Sequence, residues 1–98
     1  MNPGEVWRLQ DGSLRLVVSH PTYNASQLNR VITAVVDAPK EGFDPFAVSL
    51  ESPEGQLHVY ADRIAMHPRH WLVEQAAAAD AQALGEVRRH LRFLLCDA

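Results

Sequence analysis

Between Glu5 and Asp62 the apolar residues of this chain recur at every second position in short runs. From Asp80 onward they recur at steps of three and four. The first spacing is that of half-buried strands and the second that of a helix with one buried stripe, so the pattern predicts a small sheet closed by a C-terminal helix. Glu5-Val6-Trp7-Arg8-Leu9 and Leu14-Arg15-Leu16-Val17-Val18-Ser19 flank Asp11-Gly12, a strong hairpin signal. Val31 to Val36 is β-branched enough for a central strand with both faces covered. Two further strands, Phe46 to Glu51 and Leu57 to Asp62, are joined by the turn Ser52-Pro53-Glu54-Gly55. Trp71 to Gln75 reads as a short sixth strand after a turn at Pro68 to His70, and Ala76 to Ala79 as a small-residue connection. Leu84, Val87, Leu91 and Leu94 form the helical stripe, and Asp80 caps it. The fold class is therefore α+β: a small barrel of five to six mainly antiparallel strands with a docked C-terminal helix. Its expected core is Val6, Leu16, Val18, Ile32, Val35, Phe46, Val48, Leu57, Val59, Leu84, Val87 and Leu91.

With 98 residues and 47% apolar composition, residues 1–98 are expected to form a single domain with one thin core. The single Cys96 cannot form an internal disulfide, and the first thirty residues carry no export signal. No run approaches the roughly 20 apolar residues of a spanning helix, so no membrane association and a cytoplasmic location are expected. The net charge of −3 argues against binding nucleic acid through bulk charge. That charge is uneven: residues 1–36 and 63–98 each sum to +1, and residues 37–62 to −5. A polyanion would have to meet a face built from the first and last thirds.

Gly4-Glu5-Val6-Trp7, then Leu16-Val17-Val18-Ser19-His20-Pro21-Thr22-Tyr23-Asn24, then Val31-Ile32-Thr33-Ala34-Val35-Val36 resemble, in order and spacing, the MazF/PemK toxin family. Tyr60-Ala61-Asp62-Arg63-Ile64 and the last helix are similar to its second half. The resemblance implies an SH3-like barrel and a homodimer. It also implies the toxin half of a toxin–antitoxin pair, cleaving single-stranded RNA without a metal or other cofactor. A peptide of the cognate antitoxin is expected across the side of the first two strands. The family carries Arg-Pro before its second strand, where this chain has Ser13-Leu14, with Arg15 two residues later. Asp37 stands where the family has a Thr closing the third strand. These departures leave an alternative expectation, an inert paralogue acting as a protein-binding or regulatory module. A gyrase poison of the CcdB kind is not expected, because Leu95-Cys96-Asp97-Ala98 lacks the terminal Trp-Gly-Ile.

Metal-free RNA cleavage needs a base for the 2′-hydroxyl, an acid for the leaving oxygen and a cation for the phosphoryl oxygens. Arg15, His20 and Asp37 supply those residue types and are expected to meet where the second and third strands end. Tyr23 and Asn24 are expected to stack on and hydrogen-bond an unpaired base, with Arg8, Ser13 and Ser19 completing the RNA-facing set. His58, Asp62, His67 and His70 do not have zinc-ligand spacing, because Pro68 intervenes and no Cys pair is present. No metal site is expected.

Overall fold

The structure, a computed structural model, describes residues 1–95. Cys96, Asp97 and Ala98, on which the disulfide and C-terminal readings bear, lie outside the described residues. Six antiparallel strands appear in chain order: β1 (Glu5–Leu9), β2 (Leu14–Val17), β3 (Arg30–Asp37), β4 (Ala47–Ser52), β5 (Gly55–Pro68) and β6 (Leu72–Ala78). One helical turn, α1 (Pro21–Asn24), follows β2, and α2 (Ala81–Leu95) ends the described chain. The strands lie in the order β4-β5-β3-β2-β1-β6.

That order forces the sheet to curl. β5 ends at Pro68 and β6 begins at Leu72, joined by the 3₁₀ turn Arg69–Trp71, yet β3, β2 and β1 stand between them in the sheet. In a flat sheet those four spacings would separate the ends by about 19 Å, whereas four residue steps reach at most about 14 Å. The sheet therefore closes on itself at this end, and the carbonyl of Trp71 accepts a hydrogen bond from the backbone N–H of Gln10 at 3.2 Å.

Closure creates two apolar clusters, one on each face. On the helix side, Val6, Leu16, Ala34, Val36, Val48 and Val59 pack with Ala83 and Val87 of α2. Inside the curl, Leu9, Val17, Val31 and Leu72 pack beneath Met1 and Trp7. The expectation that Ile32 and Val35 lie in the core is corrected: both are half-buried, and Val31, Thr33, Ala34 and Val36 are buried instead. β3 is central and is covered on opposite faces at its two ends, so no single alternating set describes it. Val18, Phe46, Leu84 and Leu91 are half-buried against the core edge.

β5 runs six residues beyond its expected end, because residues 61–63 form an irregularity between the pairs Ala34↔Ile64 and Val35↔Tyr60. This insertion interrupts the period of two. The expected alanine connection instead extends β6, where Ala77 and Ala78 pair with Val6 and Glu5 despite the weak strand preference of alanine. Asp80 caps α2, its carboxylate accepting from the N–H of Ala83 at 2.8 Å.

Gly4 fastens the start of β1 to the far end of the chain. Its N–H donates to Val17 at 2.9 Å, and its carbonyl accepts from Ala79 at 2.7 Å. Its φ of +95° is left-handed, and a Cβ would stand 3.2 Å from Leu84 Cδ2. Gly4→Ala is expected to destabilise the fold by about 1–3 kcal/mol through backbone strain and crowding of α2. The midpoint of urea unfolding measures it, and an unchanged midpoint would refute this account.

Candidate active site

The β-ladders align one row of side chains across all six strands: Ala47, Tyr60, Val35, Arg15, Trp7 and Gln75. Directly paired residues share a face, so Arg15 and Tyr60 project to the same side of the sheet, about 10 Å apart at their Cα atoms. Arg15 Nε and Tyr60 Oη are buried side-chain atoms without a hydrogen-bond partner among the described residues. Orphaned buried polar atoms are costly and mark places where function overrides stability.

Arg15 stands where two clefts meet. The first, of about 320 Å³, is lined by Leu9, Gln10, Asp11, Arg15, His67 and Trp71. His67 is 8% exposed, and its Nε2 lies 3.1 Å from Thr33 Oγ1 at the floor. Burial holds its pKa below the ordinary histidine value, the Arg15 charge lowers it further, and Asp11 opposes them weakly. The imidazole is therefore kept neutral near neutral pH, in the form that accepts a proton. The second cleft, of about 330 Å³, runs past the β1–β2 turn and includes Arg8, Ser13, Arg15 and Asp37.

The expected trio does not assemble. β2 and β3 are antiparallel, so the end of β2 lies beside the start of β3 and not beside its end. Asp37 follows Val35 by two residues on the same face, about 7 Å further along, while His20 lies beyond the opposite end of β2. His20 is exposed and caps α1, its Nδ1 accepting from the N–H of Thr22 at 3.1 Å. Asp37 bridges to Lys40 at 3.5 Å and accepts from the N–H of Ala38. His67, not His20, lines a cleft with Arg15; its strand continues past Asp62, beyond the end read from the apolar alternation.

Most of the residues expected to face RNA have their polar atoms engaged within the protein. Ser19 and Asn24 are buried, and their polar atoms are engaged within the protein. Asn24 Nδ2 donates to the carbonyls of Met1 and Ser19, each at 3.0 Å, and its Oδ1 accepts from the Ser19 hydroxyl. The N–H of Ile32 donates to Ser19 Oγ at 2.9 Å, and the Arg69 guanidinium donates to the Asn24 carbonyl. These two residues staple the segment between β2 and β3 to the barrel and offer nothing to a base. Arg8 is neutralised by Glu54 at 2.8 Å. Ser13 gives its hydroxyl and N–H to Asp11, holding that carboxyl below its usual range. Tyr23 remains half-exposed.

No protein-family model and no curated protein sequence matches the chain. Solved structures do. In two crystal forms of the MazE–MazF complex from Deinococcus radiodurans, the similar chain is 29% and 28% identical, with TM-scores of 0.80 and 0.83. Each alignment covers 97% of this chain and 95% of that one. An endoribonuclease in complex with its cognate antitoxin, from a mycobacterial species, matches at 19% identity over 97% of this chain and 94% of its own, with a TM-score of 0.81. The curled six-stranded antiparallel sheet with a docked C-terminal helix thus places the chain among small α+β proteins with a MazF-like fold. Along nearly its whole length the chain is similar to these MazF toxin structures in both fold and sequence.

Two measurements test this reading of the site. Asn24→Ala should cost about 1–3 kcal/mol of stability, because it strips buried carbonyls of their donor; chemical unfolding is the readout, and a neutral effect would return Asn24 to the surface set. The lowered pKa of His67 makes its neutral form part of the native state. Above about pH 6.5 both folded and unfolded chains carry it neutral, and below that the unfolded chain protonates first, so stability falls as the pH drops. The loss caused by His67→Gln should therefore shrink in melts taken from pH 7.5 down to pH 5. A loss independent of pH would contradict a buried neutral imidazole.

Proposed function

We propose that the protein is the toxin of a toxin–antitoxin pair, a metal-independent, sequence-specific endoribonuclease acting on single-stranded RNA. It acts as a homodimer in the cytoplasm and is held inactive by its cognate antitoxin. The observation that carries the reading is Arg15, with its buried unpartnered Nε, at the junction of two clefts beside a neutral, buried His67. The MazE–MazF complexes and the antitoxin-bound endoribonuclease among the structural neighbours support the partner and the reaction class.

In this reading the RNA strand crosses the row of Arg15 with one phosphate against the guanidinium. The 2′-hydroxyl oxygen attacks the adjacent phosphorus, forming the P–O2′ bond and breaking the P–O5′ bond, which leaves a 2′,3′-cyclic phosphate and a 5′-hydroxyl. His67 accepts the 2′ proton, with Thr33 fixing its ring, and water returns a proton to the 5′ oxygen. Arg15 matches the charge that grows on the non-bridging oxygens, in a fork geometry suited to phosphate. Asp37, paired with Lys40, borders the path without placing a bare carboxylate against the strand.

The test is incubation of the purified chain, free of antitoxin and in EDTA, with a long single-stranded RNA, reading fragments with cyclic phosphate ends. Arg15→Ala is expected to lower cleavage by roughly 10²–10³-fold, and His67→Gln by roughly 10²–10⁴-fold with loss of the acid limb of the pH profile. His20→Ala retains the rate if His67 is the base, and loses it if His20 is. Wild-type protein that cuts no RNA and causes no growth defect would favour the inert binding module.

A further inference from the structure

A third cleft, of about 430 Å³, lies two strands from Arg15 and takes no part in the scheme above. Its floor is built from the same face of the sheet. Tyr60 and His58 of β5 stand opposite Ala47 and Ser49 of β4, whose small side chains leave the space open. Lys40 and Phe43, from the segment between β3 and β4, form its other wall.

Two cations converge on one ring. The Arg63 guanidinium lies 5.1 Å from the Tyr60 centroid and Lys40 Nζ lies 6.0 Å from it. Tyr60 itself is only 3% exposed, so its ring is a fixed platform. Arg63 has no carboxylate partner among the described residues, and Lys40 has only Asp37, although Glu41 and Asp44 also line the cleft. Asp44 is already committed, its carboxylate accepting from the N–H of Phe46 at 2.9 Å. Beside these cations Phe43 is 91% exposed, held out after Gly42 at a φ of +93°. An aromatic ring left in solvent next to an unpaired guanidinium and a weakly paired ammonium is the combination that stacks an unpaired base and holds its phosphate.

We infer that this cleft is a subsite for one unpaired nucleotide of the RNA, neighbouring the scissile phosphate. Arg63 and Lys40 hold its phosphate, and its base lies on Phe43 with Ser49 and His58 at its polar edge. The inference rests on the ribonuclease reading for its ligand. It adds the residues that select sequence on the β4 side of Arg15.

The probe is a fluorescein-labelled, random-sequence, fully 2′-O-methylated oligonucleotide pool, which binds without being cut, titrated against the full chain at several salt concentrations. Cut sites on a long unmodified RNA are sequenced in parallel. Phe43→Ala should weaken binding by roughly 5- to 150-fold, the worth of one stacked base, and relax the preference at one position beside the cut. Arg63→Gln should reduce the salt slope by about 0.7, the single-strand value for one phosphate contact. Both side chains are exposed, so unchanged thermal melts confirm that folding is intact. Wild-type affinity, salt slope and cut sites in both variants of a chain that still cleaves would overturn the subsite and leave the ribonuclease reading standing. Weakened binding by Phe43→Ala in a wild-type background that binds RNA without cutting would support the subsite and overturn the ribonuclease. A wild-type chain that neither binds nor cuts overturns both.

Discussion

The three-residue link between β5 and β6 governs everything else in this molecule. Because it is too short to cross a flat sheet, the ends of β5 and β6 must come together, and β3, β2 and β1 must coil between them. Coiling brings His67, near the end of β5, over the inward face of β2 and β3, where it meets Thr33 and stands with Arg15 around one cleft. None of these residues is near another in the chain. A longer link would allow the sheet to open and would return His67 to solvent, raising its pKa toward the ordinary value.

Charge follows the same geometry. The net charge of −3 gives no hint of an anion-binding face, and the most acidic third, residues 37–62, supplies β4 and half of β5. Local pairing reverses the picture. Arg8 is matched by Glu54 and Lys40 by Asp37, the latter pair with both partners more than half exposed and therefore weak. Among the arginines without a carboxylate partner in the described residues, Arg15 and Arg63 line the clefts of this face. A phosphate approaching that side meets two cations whose charge is not already spent, which matters more at contact distance than the sum over the chain.

Much of the architecture was legible because period and turn chemistry act locally. The Asp11-Gly12 hairpin, the change of period at Asp80 and the alternation in β4 each follow from neighbours a few residues apart. The collinear motifs also pointed to the family before any coordinates. What escaped the sequence was long-range. The end of β5 is hidden by the irregularity at residues 61–63, and the second apolar cluster exists only once the sheet has curled. Ser19 and Asn24 carry the composition of a surface loop, yet the turn α1 folds them under the N-terminus, where they satisfy buried carbonyls. Arg15 lines the clefts because a shift of two along a strand preserves its face. His20 stands apart from it because antiparallel pairing sends the end of β2 to the start of β3.

The departures from the family pattern form a coherent set once they are placed on the barrel. With Ser13 where an arginine is usual, the hydroxyl turns back onto Asp11 and the turn becomes a self-contained knot that projects no charge. The guanidinium next along the strand is Arg15, two residues on, whose stem is covered well enough to bury Nε. A cation set deeper on the face is nearer to the inward wall of the curl, and that wall is where His67 stands. Asp37 pairs with Lys40, whose ammonium also lies 6.0 Å from the centre of the Tyr60 ring. Arg15 thus stands on a face that runs from a buried histidine on one side to an aromatic, cationic cleft on the other.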